Sequence, residues 1–482
     1  MDLKWARAKT CNVYIGGLKN QDNGKGCDEV LNDFTDLVLL IGTNPLPNFV
    51  TAKYFVRTNK QLERIWLIFS EKTKRHGETR DLAANIKRVI KEKLKFNSIE
   101  EIPLRDIGSV PAIRQDLMRN FSSRAIGNSI FHLNYTGGTK SMAVQTYRFF
   151  EGSGYQCSFS YLDGRDFRLK YDEELLGITG DLRYEIGISL EDLIALHGYE
   201  KLRADETGAY KDTIKRFQGL IEQDKLREYL CWKDAVLRRI YYSSGRIIET
   251  TKLFLEHNKL RSNTDREEYR KCFSDKIPDF VMDLLKTLPK KKSILDESNN
   301  LWIPNSSLYN AKFCERVKAT VELLDGKWLE DYVFDVIDSS LKADSKLDPL
   351  LAAKQITIES NWEIVKKSAG GATGKKFELD VILLNGYQVC GISCTTIKKE
   401  GFSKNKGFEI VHRTRQIGGE EARSILVTCI DREGDRHNFD NFYEDLKDKT
   451  GSRSHEFTVL GLQDLKPDRL WDKIRKHVWG GI

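Results

Sequence analysis

Long apolar runs are missing from this 482-residue chain. The longest, such as Leu37–Ile41, fall far short of the ~20 residues that a bilayer-spanning helix needs, so no membrane association is expected. The opening stretch MDLKWARAKT lacks the apolar core of a secretory signal, and a cytoplasmic protein is expected. Proline is scarce, at 9 residues, and no low-complexity or collagen-like tract occurs. The 9 cysteines are odd in number and scattered without paired spacing, which argues against a disulfide framework. Cys390 and Cys394 are spaced CxxxC, but no second pair or nearby His completes a zinc site, and both read as strand residues. Strong charge of one sign is also absent. Lys and Arg number 78 against 71 Asp and Glu, a net +7 that permits a polyanionic ligand without demanding one.

What is there suits a globular protein of several domains: 40% hydrophobic, 10% aromatic and 31% charged residues. The first ~175 residues alternate short apolar runs with helical patterns, the signature of a parallel α/β sheet. Residues 36–42, 64–70, 129–134 and 155–162 read as strands. Residues 48–56, a stretch from Thr79 to about Lys95, and 138–151 read as helices. This succession predicts a doubly wound, Rossmann-like fold. From 176 to 315 charged helical patterns dominate, opened by Ser189 as an N-cap with Asp192 three residues on. A helical connector or insertion is expected there. The remainder, 316–482, starts with an amphipathic helix from Gly326. Strand-like segments follow at 354–360 and 362–365, then a hairpin of 377–384 with 387–394 about Asn385-Gly386, a helix over 406–416 and a strand over 424–430.

Two loops stand at carboxyl ends of predicted strands, where open α/β sheets bind ligands: Gly42-Thr-Asn-Pro-Leu-Pro-Asn48 and Asn134-Tyr-Thr-Gly-Gly-Thr-Lys-Ser-Met142. Gly137 and Gly138 allow close backbone approach. The following helix offers free N–H groups to a phosphate. Thr136, Thr139 and Ser141 add hydroxyls, and Lys140 a cation. Neither the GxGxxG nor the GxxxxGK[ST] spacing is met, so a phosphodiester site and a tight strand–helix turn both remain open on the glycines alone.

TGGTK followed by Ser-Met, paired with the upstream Ile-Gly-Thr-Asn-Pro and Pro-Asn-Phe-Val-Thr-Ala-Lys-Tyr, resembles the CARF (CRISPR-associated Rossmann fold) domain over about residues 34–165. The resemblance implies a homodimer that binds a cyclic oligoadenylate, tetra-adenylate favoured, across its two-fold axis. It places Thr43, Asn44, Pro45, Thr136, Gly137, Gly138, Thr139, Lys140 and Met142 in that pocket, with Ser70 and Thr73 as further candidates.

In the C-terminal part, Glu378-Leu-Asp380 sets two carboxylates on one strand, and alternation puts them on one face. Neighbouring carboxylates repel unless a cation lies between them, and Mg2+ or Mn2+ takes oxygen ligands of this kind. A lone ExD is also met on plain exposed strands. The order of a helix with Glu330, a hairpin with Asp380 and a further helix resembles the PD-(D/E)XK nucleases and the nuclease end of CARF-fused CRISPR ancillary nucleases. One departure stands out. The second hairpin strand carries Ser393-Cys394-Thr395 where the family has (D/E)xK. Either the lysine has migrated to Lys404 or Lys406, or the site is degraded. Lys406, Glu409, Arg413 and Gln416 fall on one helical face, with His412 off it.

The expectation is thus an α/β protein in three parts: a CARF sensor (1–175), a helical connector (176–315) and a restriction-endonuclease-like domain (316–482). Its function would be a cyclic-oligoadenylate-activated, metal-dependent nuclease of type III CRISPR defence acting on DNA, RNA or both. Glu378 and Asp380 would hold the metal, and Glu330, Lys404 and Lys406 would assist. A ligand-responsive transcription regulator and a nuclease-dead binding protein are the alternatives.

Overall fold

The computed structural model describes residues 34–479, except 72–78, 125–128, 174–176, 205–209, 239–241, 244–245, 248–276, 296, 300–310, 348–355, 367–375, 399 and 433–435. Thr73 lies outside the described residues.

The first sheet comprises β1 (Asp36–Leu40), β2 (Arg64–Ser70), β3 (Ile99–Leu104), β4 (Phe131–Asn134), β5 (Cys157–Asp163) and β6 (Arg168–Tyr171), in the order β3-β2-β1-β4-β5-β6. All neighbours are parallel except β5 and β6. Crossovers run through α1 (Leu46–Thr58), α2 (Arg80–Val89), α3 (Val110–Arg124) and α4 (Lys140–Gly152). The strand β1 shows why its sequence is a continuous apolar run. Leu37 and Leu39 enter one core while Val38 and Leu40 enter another, and all four are fully buried, because helices cover both faces. The order of connections reverses between β1 and β4, so their carboxyl ends frame the crevice of the sheet.

Then come α5 (Leu190–Leu196), β7 (Tyr199–Ala204), α6 (Lys211–Glu222), α7 (Leu226–Trp232), a short hairpin of β8 (Tyr242–Ser243) and β9 (Arg246–Ile247), and α8 (Asp279–Thr287). Ser189 caps α5 by accepting the Asp192 N–H, 3.1 Å away. This segment is more than a helical spacer. Its strand β7 pairs with β10 (Ile356–Lys366) and forms the edge of the second sheet. Its helices α6, α7 and α8 bury Phe217, Tyr229 and Leu284 in the same core as Trp328 and Tyr332 of α10 (Trp328–Leu347), the helix that follows α9 (Ala311–Glu322).

The second sheet adds β11 (Lys376–Asn385), β12 (Gln388–Thr395), β13 (Arg423–Thr428) and β14 (Phe457–Leu460), in the order β14-β13-β12-β11-β10-β7. The segments read as two strands at 354–360 and 362–365 form one continuous β10. Between these strands and after them lie α11 (Glu400–Gly418), α12 (Arg436–Thr450) and α13 (Pro467–Trp479). The helix read as starting at Lys406 begins six residues earlier. Core residues of the two sheets merge: Leu37 and Phe49 share one apolar cluster with Leu379, Ile410 and Ile417. No helix among the described residues is long and apolar enough to cross a membrane.

Candidate functional site

Two sites emerge, joined by one helix. The first lies at the carboxyl ends of β1 and β4. Asn48, buried in the first turn of α1, donates from Nδ2 to the Leu40 carbonyl at 2.9 Å and so ties the helix to the end of β1. A Cβ on Gly137 would stand 2.0 Å from that same carbonyl, so only glycine lets the β4 loop pass so close. Gly138 follows with φ +75°, the left-handed turn that aims the chain into α4. Thr136 Oγ1 accepts the Leu162 N–H at 2.7 Å, which fastens the loop to β5. Thr139 caps α4 by accepting the Met142 N–H at 3.2 Å. The TGGT segment is therefore both a tight turn and a loop held open over a cavity.

That cavity measures about 830 Å3, within the usual range of ligand sites. One wall is Gly42, Thr43, Asn44, Pro47, Thr136, Gly137 and Gly138. The other comes from the second half of the chain: Val411, His412, Arg415 and Gln416 of α11, then Gly419 and Glu420. This second wall was not anticipated, because its residues are nearly 300 positions from the glycines and carry no local motif. Arg415 is held in place by Glu456 at 3.0 Å, and Gln416 by the Tyr199 hydroxyl. Lys140 is exposed at the start of α4. Neither Lys140 nor Thr139 lines the cavity, and three further candidates stand away from it. Met142 is buried in the core beneath Gly138. Pro45 precedes α1 and is buried. Ser70 is buried at the end of β2, its N–H bonded to Thr79 Oγ1 at 3.0 Å, while Thr79 Oγ1 donates to the Ile41 carbonyl.

The second site sits where the β11–β12 hairpin opens. The β11–β12 ladder stops at Val381–Ile392. Beyond it, Asp380 takes the place of the missing ladder bonds: its Oδ2 accepts from Ser393 Oγ at 2.9 Å and from the Cys394 N–H at 2.7 Å. Side-chain alternation changes phase here. Leu379 packs in the core shared with the first sheet, whereas Val381, two residues on, packs in the core of α6–α10. Asp380 is buried and Glu378 exposed, so the two carboxylates emerge at different depths.

Glu330 on α10 and Lys406 on α11 close the cluster from the two sides of the sheet. Burial, then the Asp380 and Glu378 carboxylates, push the Glu330 carboxyl well above its usual range. Burial opposes the charge of Lys406, but Asp380, Glu330, Glu409 and Glu378 together outweigh it and raise its pKa. The other migrated-lysine candidate, Lys404, points elsewhere: its ammonium pairs with Asp445 of α12 at 2.9 Å.

The donors of this cluster are oxygens with an excess of negative charge, which fits a hard divalent cation such as Mg2+ or Mn2+. Among the described residues, no three His, Cys, Asp or Glu side chains converge closely enough to hold one ion by themselves. A fit therefore requires a cation that keeps part of its water shell, as Mg2+ commonly does. Glu378 and Asp380 are the residues that would hold it, with Glu330 beside them.

Residues 37–174 match the family model described as the Card1 CARF domain. The first sheet is thus of CARF type. Over nearly the whole chain, the fold is similar to that of protein VC1899 from Vibrio cholerae, with TM-score 0.60 and 14% identity, covering 92% of this chain and 98% of that one. It is also similar to Can2 from Sulfobacillus thermosulfidooxidans, solved in complex with cyclic tetra-adenylate, with TM-score 0.54 and 16% identity, covering 92% and 99%. At such identities the likeness speaks for the fold alone. No curated protein matches the sequence.

Proposed function

We propose that this protein is a nuclease switched by a cyclic oligoadenylate in type III CRISPR defence. The observation that carries the reading is the double duty of α11. Lys406 of this helix stands among Glu330, Glu378 and Asp380, and about 9 to 15 Å further along, at 1.5 Å per residue, His412 to Gln416 face the glycine loops of the CARF-type sheet. Two features that resembled one family separately in the sequence thus meet on one rigid element. Can2, similar in fold along its length, holds cyclic tetra-adenylate, and that ring is the activator proposed for the cavity of this chain, shared across a homodimer.

A bound Mg2+ or Mn2+ would supply an activated water and neutralise charge at the scissile phosphate. The protein's own part is to hold that cation with Asp380 and Glu378, to orient Asp380 through Ser393 and the Cys394 N–H, and to set the Lys406 ammonium where negative charge grows on the phosphate. One specific observation favours a second reading, a nuclease-dead binding protein. Ser393 stands where the family has a carboxylate and uses one oxygen of Asp380.

Incubating the protein with cyclic tri-, tetra- or hexa-adenylate, Mn2+ or Mg2+, and plasmid DNA or RNA separates the two. Cleavage that appears only with one ring and a divalent cation is expected. Tight ring binding with no cleavage under any cation would establish the second reading.

A further inference from the structure

The scaffold of the carboxylate cluster contains a buried lysine that the proposed chemistry does not use. Lys233 opens a π-helical turn, 233–237, that continues α7, and its side chain has no exposed surface. Its Nζ lies 2.8 Å from Thr396 Oγ1 and 3.3 Å from the Thr396 carbonyl. On the other side it lies 3.4 Å from the Asp325 carbonyl and 3.5 Å from the Asp325 carboxylate, with Asp234 at 3.6 Å. Thr396 Oγ1 also donates to the Asp325 carbonyl, and Arg238 grips the Asp325 carboxylate at 2.7 and 3.1 Å.

The two partners of Lys233 have particular places in the chain. Asp325 belongs to a second π-helical turn, 323–327, that leads into α10 five residues before Glu330. Thr396 directly follows β12, whose Ser393 and Cys394 hold Asp380. One ammonium thus ties the turn that leads into the Glu330 helix to the end of β12, the strand whose Ser393 and Cys394 hold Asp380. Single π turns are uncommon and concentrate at functional sites. Burying an ammonium costs several kcal/mol unless its donors are satisfied, and an apolar side chain would fill the same space at lower cost. A satisfied lysine here fixes geometry rather than adding stability.

We propose that Lys233 is a positioning residue of the nuclease site: it sets the distance between the Glu330 helix and the Asp380 hairpin, and so the affinity of the carboxylates for a divalent cation. This rests on the nuclease reading above.

The test uses the full-length protein and Lys233→Met, which keeps the length of the side chain and removes its charge. Mn2+ binding is followed by calorimetry, cyclic tetra-adenylate binding likewise, and cleavage of a labelled oligonucleotide is resolved into kcat and KM. Lys233→Met is expected to fold with an unchanged thermal midpoint or a higher one and to bind the ring as the parent does. It should bind Mn2+ at least tenfold more weakly and lose at least tenfold in kcat with KM unchanged. A folded Lys233→Met with parental Mn2+ affinity overturns the proposal. If that variant does not fold, Thr396→Val removes the shortest contact of Lys233 and is expected to weaken Mn2+ binding several-fold; parental affinity there overturns the proposal equally. A parent that binds no Mn2+ would instead overturn the nuclease reading, and this inference with it.

Discussion

Asp380 commits one carboxylate oxygen to Ser393 and Cys394, and under the proposed function the other would hold the cation. Asp380→Ala is therefore expected to abolish cleavage while leaving activator affinity unchanged, a pair of results read by nuclease assay and calorimetry. Lysines 404 and 406 divide sharply. Two residues on a helix lie about 200° apart, so only one of them can face the carboxylates. That one is Lys406, and Lys404 serves Asp445. Lys406→Ala should lose orders of magnitude in rate, and Lys404→Ala should retain most of it; the reverse pattern in single-turnover rates would displace Lys406 from the site. At the sensor, Lys140→Glu places a negative charge at the mouth of the α4 N-terminus. It should remove cyclic tetra-adenylate binding without changing the thermal midpoint. At this scale the local spacing in the sequence marked Glu378 and Asp380 as a pair, while Glu330 entered only through the family resemblance, and the structure brings all three near Lys406. The sequence could not choose between the two lysines, because the start of α11 at Glu400, and hence its helical phase, depends on packing against β12 and β13.

Helix α11 ends at Gly418, and Gly419 turns with φ +79°, a conformation costly for any other residue. A Cβ there would also stand 2.1 Å from the Asn44 amide, so the end of the helix and the β1 loop touch through a bare backbone. Gly419→Ala is expected to cost about 1–3 kcal/mol and to weaken activator binding as well, because it displaces the Asn44 side chain that lines the cavity. Denaturant unfolding and calorimetry check both effects, and unchanged affinity in a destabilised variant would mean that the walls do not act together. Among the elements, β1 and β2 were legible as continuous apolar runs because they are buried on both faces. The edge strand β3, Ile-Glu-Glu-Ile-Pro-Leu, was not: it mixes carboxylates with apolar residues and carries Pro103, which an edge tolerates. Nor was β7, whose partner β10 lies some 150 residues away.

Among the described residues, three histidines are kept neutral by burial. His132 sits between Ser158 and Ser160, each 2.7 Å from a ring nitrogen, and its pKa is pushed down to about 3. His197 and His477 are each lowered to about 4, the latter by burial first and then by Arg423. Folded-state values below the unfolded value of about 6.5 mean that the unfolded chain binds more protons in this window, so stability is intact above it and is lost as pH falls toward 4. Each histidine contributes at most about 1.4 kcal/mol per pH unit there. Urea midpoints should therefore drop clearly between pH 7 and pH 5. A flat profile would show that these rings are not held neutral.

The placement of β7 also governs how the protein is made. A ribosome releases residues 199–204 long before 356–366 exist, so this strand leaves the tunnel with no partner and its backbone groups open to any passing edge. The CARF-type sheet can close as it emerges, whereas the second sheet has to wait for almost the last segment of the chain. Synthesis thus delivers the CARF-type sheet first and the second sheet last. A nascent chain stalled in between holds a formed ligand loop but no assembled cluster of carboxylates.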